Sequence, residues 1–162
     1  MRTLSAGVPA RIVPPAFGTL AQALRSWTRE NEVRDPDLEP FSVGLHQILP
    51  EWPASEVPPD LSADQLRLLV MEGALRLLIA IAGRRGSVVF LDDLHAADPE
   101  TLQFVYQAAR SLADHPVVLL AAIRTDENPS VEADAAAMVR AGLARAIELT
   151  PLDAEAVSPG AR

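Results

Sequence analysis

A short apolar run that ends in two adjacent acids constrains this chain more than any other feature. The run covers residues 87–91, and Asp92 and Asp93 follow it directly, before a polar turn and a helix that starts at Pro99. An unbroken apolar run of this length is typical of a strand buried within a parallel sheet. Since the ends of such strands meet at one edge, the pattern predicts two acids at the rim of a sheet.

The segments around this run alternate between helical and strand patterns. Helical periodicity and capping residues predict helices at residues 18–29, 41–49, 61–82, 98–114 and 131–142. Apolar runs predict strands at residues 88–93, 116–123 and 145–149. We therefore expect an α/β fold with a parallel sheet and helices on both faces. Arg124 follows the second strand, so it is expected beside Asp92 and Asp93 at the carboxyl edge.

The first third of the chain carries weaker signals. Residues 1–16 contain three prolines and little periodicity, which predicts a loop with a strand remnant at most. Residues 31–40 and 51–60 are rich in acids and prolines and are expected to be exposed loops. Residues 151–157 resemble the start of one more helix.

Composition excludes several classes of function. The chain has 162 residues, a net charge of -8 and no cysteine, and all 14 of its basic residues are arginine. An acidic surface does not bind nucleic acid directly, and without cysteine there is no disulfide or thiolate metal site. Without lysine, neither a Schiff base nor the lysine of a phosphate-binding loop is available.

The longest apolar run, residues 66–82, is interrupted by charges and too short to span a membrane. A cytoplasmic protein is expected.

Paired acids after an apolar strand suit two kinds of chemistry. In the Walker B element of P-loop nucleotidases, the first acid holds Mg²⁺ and the second polarises the attacking water. In a receiver domain, paired acids bind Mg²⁺ beside a phosphorylated aspartate, but that arrangement uses a lysine that this chain lacks. An ordinary strand-end turn with two aspartates is the non-functional alternative.

Two longer stretches bear a specific resemblance to a known family. Residues 88–102 and 116–124 resemble the ATPase module of AAA-like STAND proteins, which are often LuxR-type transcriptional regulators. That family has an apolar strand, then Asp-Asp-Leu-His-Trp-Ala-Asp, a helix, and a strand ending in arginine. Here Ala96 stands where the family usually has tryptophan, whereas His95 and Asp98 match. Weaker similarity covers residues 17–25, 49–51 and 147–152.

The resemblance implies roles for three residues. Asp92 would hold Mg²⁺ through its water shell, Asp93 would activate the attacking water, and Arg124 would be a sensor that contacts the terminal phosphate of ATP. Each has a structural alternative. Asp92 can accept backbone N–H groups in a loop, and Arg124 can form an ion pair with Asp93 or Asp126.

The resemblance also implies an incomplete domain. The family's glycine-rich loop with lysine, and the strand before it, have no counterpart in the sequence. We expect residues 1–162 to be a single partial AAA-like domain, truncated or decayed: 1–60 follow the phosphate loop, 61–150 contain the Walker B and sensor core, and 151–162 begin a lid. Such a P-loop NTPase-like fragment of a regulator would bind ATP and Mg²⁺ weakly or not at all. Its partners would then be other proteins or the missing domains of the parent regulator.

Two alternatives to a nucleotide-binding fragment stay open. One is a non-enzymatic protein-interaction module that keeps the scaffold and its acidic rim. The other is a chain that does not fold stably, since a missing neighbouring strand would leave apolar surface exposed.

Overall fold

Three parallel strands form the sheet in a computed structural model that describes residues 1–8, 14–53 and 56–150. They are β1 (Arg2–Gly7), β2 (Ser87–Asp92) and β3 (Val117–Ala121), and they lie in the order β1-β2-β3. Leu4 is aligned with Val89, and Val89 with Leu119. A mixed α/β fold with a parallel sheet is thereby confirmed, with the acid-tipped strand at its centre.

Five α-helices connect and follow the strands in the described part of the chain. They are α1 (Gly18–Thr28), α2 (Ser42–Ile48), α3 (Ala63–Ala82), α4 (Pro99–Ser111) and α5 (Pro129–Arg140). All five predicted helices are therefore present, with ends shifted by a few residues. The N-terminus of α3 shows the clearest local cause, because Ser62 and Gln65 form a reciprocal capping box and Gly83 ends the helix at φ 47°.

The core lies on one face of the sheet. Leu4, Val89 and Leu91 are almost fully buried and pack with the apolar sides of α1, α3 and α4. On the alternate face, Val118 is 50% exposed and Leu120 46% exposed. The expectation of helices on both faces is therefore met on one face only within the described residues. The strand order explains this, because right-handed crossovers in one direction along a sheet place their helices on the same side.

Two strand predictions need correction. Residues 1–16 were expected to hold a strand remnant at most, but Arg2–Gly7 form a regular strand paired along its whole length with β2. Residues 145–149 were expected to be a strand but form none, and Ile147 and Leu149 are 80% and 87% exposed. A strand forms only when an apolar run pairs with a neighbouring strand, and residues 145–149 pair with none in the described part of the chain.

The acidic segment before α2 is less exposed than its composition indicates. Residues Pro36–Phe41 form a 3₁₀-helix that begins with the Asp35 side chain accepting the N–H of Asp37. Leu38 is 2% exposed and belongs to the core. The polar neighbours of Leu38 hide this buried position in the sequence. The predicted helix after residue 150 lies outside the described residues, and no described helix is long and apolar enough to cross a membrane.

A buried carboxylate joins the N-termini of α1 and α4. Asp98 is the N-cap of α4, as its sequence context predicts, and its Oδ1 accepts the N–H of Thr101 at 2.8 Å. The same oxygen accepts the N–H of Phe17 at 2.7 Å, and Oδ2 lies 3.3 Å from the N–H of Thr19. Phe17 has no capping side chain of its own. Asp98 therefore caps two helices at once, 2% exposed to solvent.

Helices α2 and α3 approach each other closely at Gly44. A Cβ atom on Gly44 would lie 2.4 Å from the carbonyl carbon of Leu69, a distance at which backbone atoms must move. Gly44 therefore fixes the contact between the two helices, in spite of the low helix propensity of glycine.

The substitution Gly44→Ala should lower the free energy of unfolding by about 1–3 kcal/mol, because overpacking displaces α2 from α3. Helix propensity alone predicts the opposite sign. Urea denaturation followed by circular dichroism measures the change. Gly7→Ala is the control, since among the described residues its Cβ would meet only Asp92 Cβ, at 3.9 Å. A stabilised Gly44→Ala protein would contradict the close approach.

The substitution Asp98→Ala should destabilise the protein by about 3 kcal/mol, since it leaves several buried N–H groups at two helix ends without an acceptor. Ser62→Ala removes the exposed cap of α3 and should lower stability by only about 1 kcal/mol. Denaturation of both variants under one set of conditions gives the comparison. Equal effects of the two substitutions would show that Asp98 caps a single helix.

Candidate functional site

The carboxyl ends of β2 and β3 bring the predicted residues into one cluster. The ladder between the two strands continues past their ends, because the Ala122 N–H donates to Leu91 O and the Leu94 N–H donates to Ala122 O. These bonds hold the segment after β2 against the segment after β3. As a result, Asp93 and Arg124 come into contact although 31 positions separate them in the sequence.

Asp92 is the last residue of β2 and its side chain is exposed to solvent. Its Oδ1 accepts the backbone N–H of Asp93 at 3.0 Å. The Asp92 carboxylate thus accepts a loop N–H, as the structural alternative for this residue predicts. One such bond leaves further acceptor capacity on the carboxylate.

Asp93 adopts the left-handed backbone conformation, with φ 51° and ψ 40°. Phe17 is the other non-glycine residue with positive φ in the described part of the chain. Aspartate tolerates this conformation better than most residues, at a strain on the order of 1 kcal/mol. The conformation turns the chain sharply after β2, and the Asp93 carboxylate, one-third exposed, then lies beside Arg124.

Arg124 pairs with two carboxylates. Its Nη1 donates to Glu127 Oε1 at 2.9 Å, and its Nε lies 3.4 Å from Asp93 Oδ1. The hydrogen bond that Arg124 donates to Glu127, followed by the charge of Asp93, raises the pKa of Arg124 above its ordinary value. The ion pair with Asp93, one of the alternatives for this arginine, is therefore present. Since the side chain is 64% exposed, water weakens both interactions.

Two members of the cluster, Glu127 and His95, carry no predicted site role. Glu127 Oε2 lies 2.9 Å from His95 Nε2, while its other oxygen binds Arg124. The hydrogen bond from Arg124 is the main reason that the pKa of Glu127 falls below 4.5. His95 is 7% exposed, and its Nδ1 accepts the backbone N–H of Arg124 at 3.3 Å. The polar run after Arg124 is the one sequence signal that points to Glu127.

The capping residue of α5 completes the cluster. Asn128 accepts the N–H of Val131 through its side-chain oxygen at 3.4 Å, and its Nδ2 donates to the carbonyl oxygen of His95 at 2.9 Å. The start of α5 is therefore bound to the turn after β2. This contact ties the segment from Arg124 to Asn128 to the turn that carries Asp93 and His95.

The cluster is an open rim rather than an enclosed cavity. A cleft of about 320 Å³ lies elsewhere, lined by Leu75, Arg76 and His115 among other residues, between α3 and the C-terminal end of α4. His115 precedes β3, so this cleft lies toward the other edge of the sheet. Because functional groups of parallel sheets collect beyond the carboxyl ends of the strands, the carboxyl edge is the stronger candidate for chemistry.

The cluster offers carboxylate oxygens that are open to solvent but no preformed metal site. In the described residues, no group of three or more His, Asp or Glu side chains is arranged to hold a metal ion. A single exposed carboxylate such as Asp92 suits Mg²⁺, which keeps most of its water ligands in proteins. A lysine that would bind phosphate is absent from the sequence.

The fold and the site together define a class: an α/β domain with a parallel sheet and an acid–arginine cluster at its carboxyl edge. Comparison of the chain with protein-family models, curated proteins and solved structures gave no match.

Glu127 should titrate below 4.5, its ordinary value, because Arg124 stabilises the charged carboxylate. A lowered pKa in the folded state means that Glu127 stabilises the fold above its unfolded pKa and loses this contribution as the pH falls through the folded pKa. Carbon-detected NMR of the Glu127 carboxyl group measures the midpoint. Arg124→Gln should raise it, whereas Arg140→Gln, at the far end of α5, should not. A midpoint that Arg124→Gln leaves unchanged would contradict the assigned cause.

Proposed function

We propose that this chain is the acid-bearing core of an ATP-binding module of the STAND class, within a signal-transduction or transcriptional regulator of the LuxR type. One observation carries the proposal: the strand that ends in Asp92 and Asp93 lies beside the strand that precedes Arg124, and Arg124 Nε is 3.4 Å from Asp93. A P-loop NTPase-like fold orders its Walker B and sensor strands in this way. The resemblance of residues 88–102 and 116–124 supports the same assignment.

Each residue has a distinct task in the proposed module. Asp92, exposed at the end of β2, would hold Mg²⁺ through its water shell. Asp93 would accept a proton from, or orient, the attacking water, and Arg124 lies beside it. Arg124 offers a guanidinium to the terminal phosphate, for which it must exchange part of its contact with Glu127. Mg²⁺ supplies charge neutralisation for the phosphates when ATP is bound.

The chain is not catalytically competent alone in this proposal. Phosphate binding in such modules depends on a glycine-rich backbone nest and a lysine, and this sequence contains no lysine. Nucleotide binding by the isolated chain is therefore weak, and the other domains of the regulator are its protein partners. A cytoplasmic location belongs to the proposal, since a regulator of this class binds cellular ATP.

The exposed side of β3 favours a second candidate function, a non-enzymatic interaction module. Val118 and Leu120 point to the uncovered face and are about half exposed, in a strand that pairs only with β2 among the described residues. Such a strand offers both apolar side chains and free backbone groups to a protein partner.

Paramagnetic broadening by Mn²⁺, a substitute for Mg²⁺, tests the proposed metal side of the site. The amide NMR signals of Asp92, Asp93 and Leu94 should broaden at millimolar Mn²⁺, because a single carboxylate binds a hydrated divalent ion weakly. Asp92→Asn should abolish the broadening. Asp114→Asn, an equal charge change near the opposite edge of the sheet, should leave it intact.

Two results would change the assignment. Wild-type signals that do not broaden at Asp92 would contradict the metal role and favour the interaction module. A low-micromolar affinity for fluorescent ATP and Mg²⁺, lost in Asp92→Ala, would contradict the weak nucleotide binding expected of this chain.

A further inference from the structure

The hydrogen bonds of His95 determine which of its ring nitrogens carries the proton. A backbone N–H can only donate, so the contact between the Arg124 N–H and Nδ1, at 3.3 Å, requires an unprotonated Nδ1. The remaining proton lies on Nε2, which donates to Glu127 Oε2 at 2.9 Å. Both bonds exist together only in the neutral ring with Nε2 protonated.

This ring connects two segments that the proposed function needs in a fixed relation. His95 belongs to the 3₁₀ turn Leu94–Ala96 directly after Asp93, and its two nitrogens contact the segment after β3. One contact holds the backbone of Arg124, and the other holds the carboxylate that binds the guanidinium of Arg124. Backbone and side chain of the same arginine are thus both restrained through a single histidine.

We propose that His95 is a positioning residue whose neutral ring fixes Arg124 and Glu127 relative to Asp93. It acts through Arg124 and Glu127 and does not touch the nucleotide. Its role in nucleotide binding rests on the proposed function, whereas the positioning itself is a property of the free protein. The charged groups facing the ring are Glu127 at 2.9 Å and Asp93 at 4.0 Å, and Arg124 pairs with both.

Burial explains why a histidine suits this position. The side chain is 6% exposed, so water cannot replace its hydrogen bonds without opening the turn after β2. The rigid ring presents an acceptor and a donor in opposite directions, which allows it to bridge two segments. The Asn128 side chain adds a third contact at the His95 carbonyl oxygen.

The first test is the tautomer of His95 in the wild-type protein at neutral pH. Long-range proton–nitrogen NMR of the ring should show the pattern of a neutral imidazole protonated at Nε2. A ring protonated at Nδ1, or a charged ring, would overturn the proposal, because neither form accepts the Arg124 N–H.

The second test measures how firmly Arg124 is held. In His95→Phe the ring remains but both hydrogen bonds are lost, so solvent exchange of the Arg124 Nε–H should become about tenfold faster. His95→Gln keeps one acceptor and one donor and should restore most of the protection. His115→Gln, an exposed histidine before β3, is the control and should exchange like the wild type. Protein stability is measured in parallel.

The outcomes separate positioning from simple packing. If His95 only fills space in the core, the His95→Phe and His95→Gln variants lose stability but exchange the Arg124 Nε–H at the same rate. That result would overturn the proposal. If His95→Phe does not fold, Glu127→Gln replaces it: Arg124 exchange should rise while the ring keeps its proton on Nε2, and a changed tautomer would count against the proposal. None of these measurements uses metal or nucleotide. A failed Mn²⁺ experiment would therefore remove the proposed function and leave the positioning role of His95 standing.

Discussion

The Asp98 carboxylate is the interaction on which the arrangement of the carboxyl edge depends. It accepts backbone N–H groups at the start of α1 and of α4, so two positive helix ends share one negative charge inside the protein. The residues between Asp93 and Asp98 are consequently fixed at both ends, by β2 on one side and by α4 on the other. The sharp turn at Asp93 and the buried position of His95 both follow from this short, restrained connection.

The three carboxylates at the carboxyl edge differ in whether they form an ion pair with Arg124. Three carboxylates, those of Asp92, Asp93 and Glu127, lie near one guanidinium, with the buried side chain of His95 beside them. Glu127 and Asp93 share Arg124, whereas Asp92 accepts only a backbone N–H in the contacts described above. The acid without an ion pair in these contacts is therefore also exposed to solvent. An incoming cation would therefore meet less competition from Arg124 at Asp92 than at Asp93 or Glu127.

Local sequence patterns predict those helices and strands that depend mainly on neighbouring residues in the chain. Helix α3 follows from its capping box and apolar length, α4 from Asp98 and Pro99, and β2 from an unbroken apolar run. Strand β1 was underestimated because it is short and is followed by prolines, so the burial of Leu4 and Ala6 is visible only once the strand pairs with β2. The strand predicted at residues 145–149 is absent, because their pattern suits a strand but pairing also depends on a neighbouring strand. The contact between Asp93 and Arg124 was predictable from strand ends, whereas the bonds of His95 and Glu127 depend on how two turns fold.

The uncovered side of β3 has a consequence for the behaviour of the protein in concentrated solution. Residues 117–121 contain no charge and no proline, and natural sheets usually protect such an edge from pairing with another molecule. The net charge of -8 provides a different protection, since like-charged molecules repel before their edges meet. This repulsion acts over about 10 Å at 0.1 M salt and over only about 3 Å at 1 M. The colloidal stability of this protein should therefore fall as the ionic strength rises.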